Sequence, residues 1–313
     1  LVTPDLPLAQ VSGSRCWLTF LMTLCSWHVP LSVVGRWGGV HKTTILRWVL
    51  GLALALWPLI YRWIGERVTA SMVYVDETWL KIRGRWYYWF VVLDVPTELP
   101  VLAALLPSRG QWACRWVDRQ LRQLKKVPQV LITDGLQAYT YLVPGAKHVL
   151  CRFHHQQGVT HWLKQHFATE VEINARKPAM KRLFQTRDKR TVRRRLARLR
   201  ERAAELGITP WVTAVEAKLP QLIYSVGSAR LPSTSNAVER FFRAFQRFYR
   251  TRGGFHTVHS AKRELLLFLV VYLFTQHATT DQAPIEVIIP EAQQMPLYRL
   301  INDPFRALQE RES

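Results

Sequence analysis

SMVYVDETWLKI, residues 71–82, alternates apolar with polar side chains and is rich in β-branched and aromatic residues, the two-residue period of a strand. RGRWYYWFVVLDV, residues 83–95, follows through a turn at Gly84, so the pair predicts a β-hairpin. VLAALLP, residues 101–107, supplies a third strand after the turn from Pro96 to Pro100. Between Gln111 and Lys126, Trp112, Trp116, Leu121 and Leu124 recur at helical spacing. PQVLITDG (128–135) and AKHVLCRF (146–153) then read as strands separated by a short helix. The predicted order is β-β-β-α-β-(short helix)-β, an α/β core built on a mixed five-stranded sheet with flanking helices.

That order has a geometric consequence. A helical crossover after a meander returns the fourth strand beside the first and parallel to it, because such crossovers are right-handed. Ligand sites gather where the C-terminal ends of parallel strands meet. Asp76 follows Met72 to Val75 and Asp134 follows Val130 to Thr133, so each acid is expected at the end of its strand. A third acid comes from SNAVERFFRAFQRFYR, residues 235–250. Val238, Phe241, Phe242, Phe245 and Phe248 fall on one side of a helix there, with Ser235 or Asn236 as N-cap and Glu239 in the first turn. Arg240, Arg243, Arg247 and Arg250 form a basic face at spacings of three and four. Two strand acids that meet a helical acid can hold a pair of divalent cations, and oxygen ligands suit Mg2+ or Mn2+.

Charge points to the partner. Lys and Arg number 43 against 22 Asp and Glu in 313 residues, a net charge of +21 that favours a polyanion such as nucleic acid. Between Arg176 and Arg250 there are 19 Lys or Arg against 5 Asp or Glu, so +14 of the +21 lies in under a quarter of the chain. With 49% hydrophobic residues and 13 Trp, the chain can bury a large core and is not a disordered tail.

Four cysteines, at 16, 25, 114 and 151, are too few and scattered for a disulfide framework, which indicates a reducing cytoplasm. The apolar runs Trp48–Ile60 and Leu265–Phe274 fall short of the roughly 18 residues of a membrane span and read as buried helices. The N-terminus shows no secretion signal. LSVVGRWGGVHKTTILRWVLGL, residues 31–52, reads as a helix, a break at Gly38-Gly39, and a second helix capped by His41 or Lys42 and continued from Thr44 to Leu50. In a helix-turn-helix, Lys42, Thr43, Thr44, Arg47 and Trp48 would face DNA.

VDET, TDG and the N-x-x-E-R helix, carrying Asp76, Asp134 and Glu239, resemble the three carboxylate motifs of the DDE transposases of prokaryotic insertion sequences, over roughly residues 72–255. CRFH, with Cys151 and His154, is similar to the C-x-x-H motif of mutator-like relatives. The resemblance implies an RNase H-like catalytic core at 69–155 and 233–280 and a helical DNA-binding region at 1–68. It further implies a basic helical insertion at 156–232, leaving 281–313 as a C-terminal tail. Two metal ions held by the three acids would serve strand cleavage and strand transfer on terminal inverted repeats and target DNA, in a nucleoid-associated homodimer or larger assembly. The separation of 105 positions from Asp134 to Glu239 calls for that insertion. Glu77 and Asp94 are also acidic, and strand alternation with the family motif favours Asp76. Cys151 and His154 supply only two of the four ligands of a closed zinc site, so packing, hydrogen bonding or DNA contact is their expected role. An RNase H-like nuclease or resolvase, a non-catalytic DNA-binding descendant, or a basic membrane-surface protein would share parts of this pattern.

Overall fold

The computed structural model describes residues 29–293 apart from 230, 232–235, 253, 278 and 279. Ser235, one of the two expected caps, lies outside the described residues, as do Cys16 and Cys25. Strands β1 (Met72–Ile82), β2 (Arg85–Asp94), β3 (Pro100–Leu106), β4 (Val130–Thr133) and β5 (Lys147–Leu150) form one sheet in the order β3-β2-β1-β4-β5. β1 to β3 are an antiparallel meander, while β4 lies parallel to β1 and β5 parallel to β4. The expected return of the fourth strand beside the first is therefore observed. Arg83 and Gly84 turn the hairpin with φ of 48° and 80°, the two left-handed residues that a tight two-residue hairpin turn requires.

Helices α1 (Leu31–Gly38) and α2 (Lys42–Arg67) precede the sheet. Gly39, at φ 62°, closes α1, and the side chain of His41 accepts the Thr43 N–H at the start of α2. The second helix does not stop near Leu50 as expected but runs to Arg67. Ile45, Val49, Leu52, Ala53, Leu56, Ile60 and Trp63 keep one buried face along its length. By length and composition α2 could cross a membrane, although the run Trp48–Ile60 alone could not. Of its most apolar window 44% is already buried inside the molecule.

α3 (Gln111–Gln123) makes the crossover from β3 to β4, and a 3-10 turn at Gln137–Tyr141 joins β4 to β5. Then come α4 (Arg152–His166), α5 (Glu170–Arg182), α6 (Lys189–Glu201) and α7 (Thr209–Leu222), which bury a second cluster including Val159, Leu163, Met180, Leu196 and Trp211. α8 (Asn236–Arg250) and α9 (Val258–Phe274) return to the main core. Trp89 on β2 pins α8 and α9, with ring centroids 5.4 Å from Phe241 and 4.5 Å from Phe245 on α8 and 5.7 Å from Phe268 on α9. Each such aromatic pair adds about 0.5–1.5 kcal/mol beyond its buried area. Phe242, expected in the apolar side, is only half-buried at its margin.

Candidate active site

Asp76 sits inside β1, which runs on to Ile82, and so not at the strand end that alternation suggested. What ends is its neighbour. β4 pairs with β1 through Tyr74↔Ile132 and stops at Thr133, so Asp76 and Asp134 each lie two residues past that pair on adjacent parallel strands. β1 continues because β2 still pairs with it on the other edge.

Asp76 feels the charge of Asp134. Burial, joined by the charges of Glu77 and Asp134, pushes Asp76 up to about 7, against the pull of His154 and a 2.9 Å bond from the Glu77 N–H to Asp76 Oδ1. Asp134 is exposed and accepts the Leu136 N–H at 2.9 Å, which folds its loop around the carboxylate. Glu77, on the opposite face of β1, accepts a hydrogen bond from the Tyr139 hydroxyl and pairs with Arg109 at 3.5 Å. Burial raises Glu77 and Asp134 adds to it, while Tyr139 and Arg109 hold it down. Acids from both faces of the strand thus converge where β4 ends.

Cys151 and His154 belong to the same place. Cys151 follows the last residue of β5 and stands at the N-cap position of α4, which brings His154, about one turn on, toward Asp76. The His154 imidazole is pushed up to about 9, first by its hydrogen bond with Cys151 and then by Asp76 and Asp134, against burial. It is therefore a cation at neutral pH beside two carboxylates.

Glu239 lies in the first turn of α8, as the sequence indicated. Its carboxylate pairs with Arg243 at 2.8 Å and is 39% exposed. Gln246, seven residues along, reaches Thr78 at 3.4 Å, and Arg240 interacts electrostatically with Tyr74. Seven helical residues span about 10 Å, about three residues of strand, so Glu239 lies roughly level with Tyr74 to Asp76. Among the described residues no three His, Cys, Asp or Glu side chains stand close enough to hold one ion together.

The basic surface has two parts. Lys42, Thr43 and Arg47 are exposed at the start of α2, with Thr44 and Trp48 half-buried, and the Thr43 hydroxyl lies 2.8 Å from His41 Nδ1. Arg240, Arg243, Arg247 and Arg250 are exposed along α8, where Arg240 also pairs with Glu98. A cavity of about 720 Å3 is lined by Arg187, Lys189, Arg190, Arg193 and Tyr224. The Lys147 and Lys189 ammonium groups lie 3.6 and 5.8 Å from the Tyr224 ring centroid, so two cations share one ring. Gly227, at φ 71°, lets the backbone pass Arg187 there; a Cβ would meet the Arg187 carbonyl oxygen at 2.3 Å.

Sequence reasoning assigned no role at the acids to Tyr139, Arg109 and Glu77. The available signal was Tyr139 five residues after Asp134, in a turn short enough to fold back.

Residues 21–263 match the model of the transposase IS66 family. The transposase for insertion sequence element IS257 in transposon Tn4003 of Staphylococcus aureus is 30% identical over 102 residues, 32% of this chain and 43% of that protein. The transposase for insertion sequence-like element IS431mec of Staphylococcus aureus is 30% identical over 97 residues, 30% of this chain and 41% of its own length. The chain thus spans about two-fifths of the length of these relatives.

Proposed function

From a chain that belongs to the IS66 transposase family, and so to the transposases of insertion sequences, we propose an enzyme that cuts and joins DNA through Asp76, Asp134 and Glu239. The observation that carries this reading is the coupling of Asp76 with Asp134 where β4 stops. The sheet order β3-β2-β1-β4-β5, with β1 central, supports an RNase H-like core. The separate apolar cluster of α4 to α7 supports a helical insertion between its second and third acids.

The donor set fits divalent metal. Asp76 and Asp134 are hard oxygen donors, and the burial of Asp76 beside the charge of Asp134 favours an added cation, as in Mg2+ or Mn2+ sites. Glu239 would complete the set by leaving Arg243, an exposed pair of the class worth at most about 1 kcal/mol. Two such ions would stabilise the charge on the attacking and leaving oxygens of the phosphodiester. The chain's own groups then bind and orient DNA. Arg240, Arg243, Arg247 and Arg250 hold phosphates along α8, Lys42, Thr43, Thr44 and Arg47 read the terminal inverted repeat, and the cavity around Arg187 and Lys189 takes up the flanking backbone. Water attack at the element's end frees a 3′-hydroxyl, which in turn attacks a phosphodiester of target DNA and displaces its 3′ oxygen. Two ends brought together this way call for a homodimer or larger assembly.

A strand-transfer assay with labelled element ends tests the reading. Asp76→Asn, Asp134→Asn and Glu239→Gln each abolish nicking and joining while DNA binding persists. Metal-dependent cleavage by all three variants refutes it.

A further inference from the structure

The β1–β2 hairpin carries an aromatic face that the acids do not use. Alternation puts Glu77, Trp79 and Lys81 on one side of β1, opposite Asp76 and Thr78. Their register partners Phe90, Tyr88 and Trp86 extend that side onto β2. In a chain that buries Trp89 to 1% exposure, Trp79 is left 63% and Trp86 49% exposed. The two indoles meet edge to face with centroids 4.8 Å apart. Cations alternate with the rings. Lys81 lies 5.5 Å from the Trp86 centroid, and Arg109 lies 5.9 Å from that of Tyr88 while pairing with Glu77. Lys81, Arg83 and Arg85 are exposed at the tip and form no ion pair among the described residues.

Resting on the reading of this chain as a DNA-cutting transposase, we propose that this face binds unpaired nucleotides of the strand that enters the acid site. Bases stack on Trp79 and Trp86, and Lys81, Arg83, Arg85 and Arg109 hold the phosphates. Interleaved cations and aromatic rings are the means by which proteins hold single strands, because every base has a π-face and every nucleotide a charge. Paired bases in a duplex hide those π-faces from the rings. The face is also continuous with the site. Glu77, which feels the charge of Asp134, pairs with Arg109, and Arg109 stands over Tyr88, the register partner of Trp79. From Glu77 to Lys81 the strand rises about 13 Å, so the rings and cations lie along one continuous line leading to the acids. A second copy of the chain is a poorer occupant, since a two-fold contact here would bring the Lys81, Arg83 and Arg85 groups of both copies together.

The test uses the full chain with wild-type, Trp79→Ala, Trp86→Ala and Trp79→Phe proteins, all checked for folding by circular dichroism. The probes are a fluorescent 12-nucleotide single strand, the same sequence as duplex, and anionic phospholipid vesicles. Each alanine variant should bind the single strand about five- to hundredfold more weakly. Duplex affinity should change less than twofold, and Trp79→Phe should stay near wild type. A 2-aminopurine base in the single strand should lose fluorescence on binding wild type and keep it with Trp79→Ala. Equal loss of single-strand and duplex binding, or no loss, overturns the proposal. So does vesicle binding that depends on Trp79, or a dimer that dissociates in the alanine variants. Joining by the wild type is scored separately. Its absence with the stacking results intact removes only the catalytic reading, and its presence with unchanged single-strand binding removes only this one.

Discussion

Asp76→Asn makes the metal-free protein more stable at alkaline pH. A carboxyl raised on folding from 3.8 to about 7 contributes stability that is fully present below the unfolded value and is lost as pH rises through the folded one. Above pH 7 the folded state therefore carries a charge that burial and the neighbouring acids oppose. The shift of about three pH units corresponds to an upper limit of about 4 kcal/mol. Water entering the half-buried site reduces it, and about 2 kcal/mol is the expected gain. Asparagine has the shape of the aspartate and keeps an oxygen for the Glu77 N–H, so the gain is electrostatic and not a repacking. Thermal melts in EDTA from pH 4 to 9 read it out as a rise of about 4 °C at pH 8.5, converging with wild type near pH 4. Saturating Mn2+ then inverts the order, because a cation at 100 times its Kd adds about 2.7 kcal/mol to wild type alone. A variant no more stable than wild type at pH 8.5 in EDTA refutes the coupling of Asp76 with its neighbours.

Other perturbations test the surroundings. His154→Ala removes a cation beside Asp76. Since a histidine raised to about 9 stabilises the fold below its unfolded pKa and loses that effect as pH rises through 9, the variant is less stable than wild type at pH 6 and matches it near pH 10 in urea titrations. Tyr139→Phe takes away the hydroxyl that Glu77 accepts, with about 1–3 kcal/mol lost at pH 8 and less at pH 4, measured by the same titrations. Gly227→Ala strains a residue at φ 71° by about 1–3 kcal/mol before its contact with the Arg187 carbonyl is counted, and it weakens duplex binding in a gel-shift assay. Raising salt from 50 to 200 mM lowers duplex affinity by at least about tenfold, since counterions are released as Lys and Arg neutralise phosphates; a flat dependence removes the basic surface from the DNA contact.

Local patterning made much of the fold legible before any coordinates. Alternation through Met72 to Leu106 and helical spacing through Trp112 to Leu121 gave the strand order, because β1, β2 and β3 pair with their neighbours in sequence and a single helical crossover follows them. The end of α2 was not legible. The expected helix extends only to Leu50, just before Gly51, but the buried stripe from Ile45 to Ile64 continues it through Gly51 and Pro58, so tertiary packing outweighs local propensity. Asp76 was misplaced for a related reason. A strand ends where its partners end, and β1 has a long partner on one edge and a short one on the other. Side chains brought in from loops, such as Arg109 and Tyr139, leave no periodic trace and were found only in three dimensions.

Glu239 stands in a measurable competition between Arg243 and a metal ion. Its carboxylate is held by Arg243 in an i, i+4 pair at 2.8 Å with both side chains substantially exposed, a class worth about 0.3–0.5 kcal/mol. Asp76 presents the opposite situation, an acid that burial and the charges of Glu77 and Asp134 keep from ionising. On the proposed reading, a divalent cation held by the two strand acids would gain a third carboxylate at the small expense of that ion pair, and Arg243 would be released to meet a phosphate. Arg243→Ala removes the competitor, so Mn2+ binds about twofold more tightly by isothermal calorimetry, while duplex DNA binds more weakly. Equal Mn2+ affinity in Arg243→Ala, Glu239→Gln and wild type would detach α8 from the metal site and leave Asp76 and Asp134 to act without it.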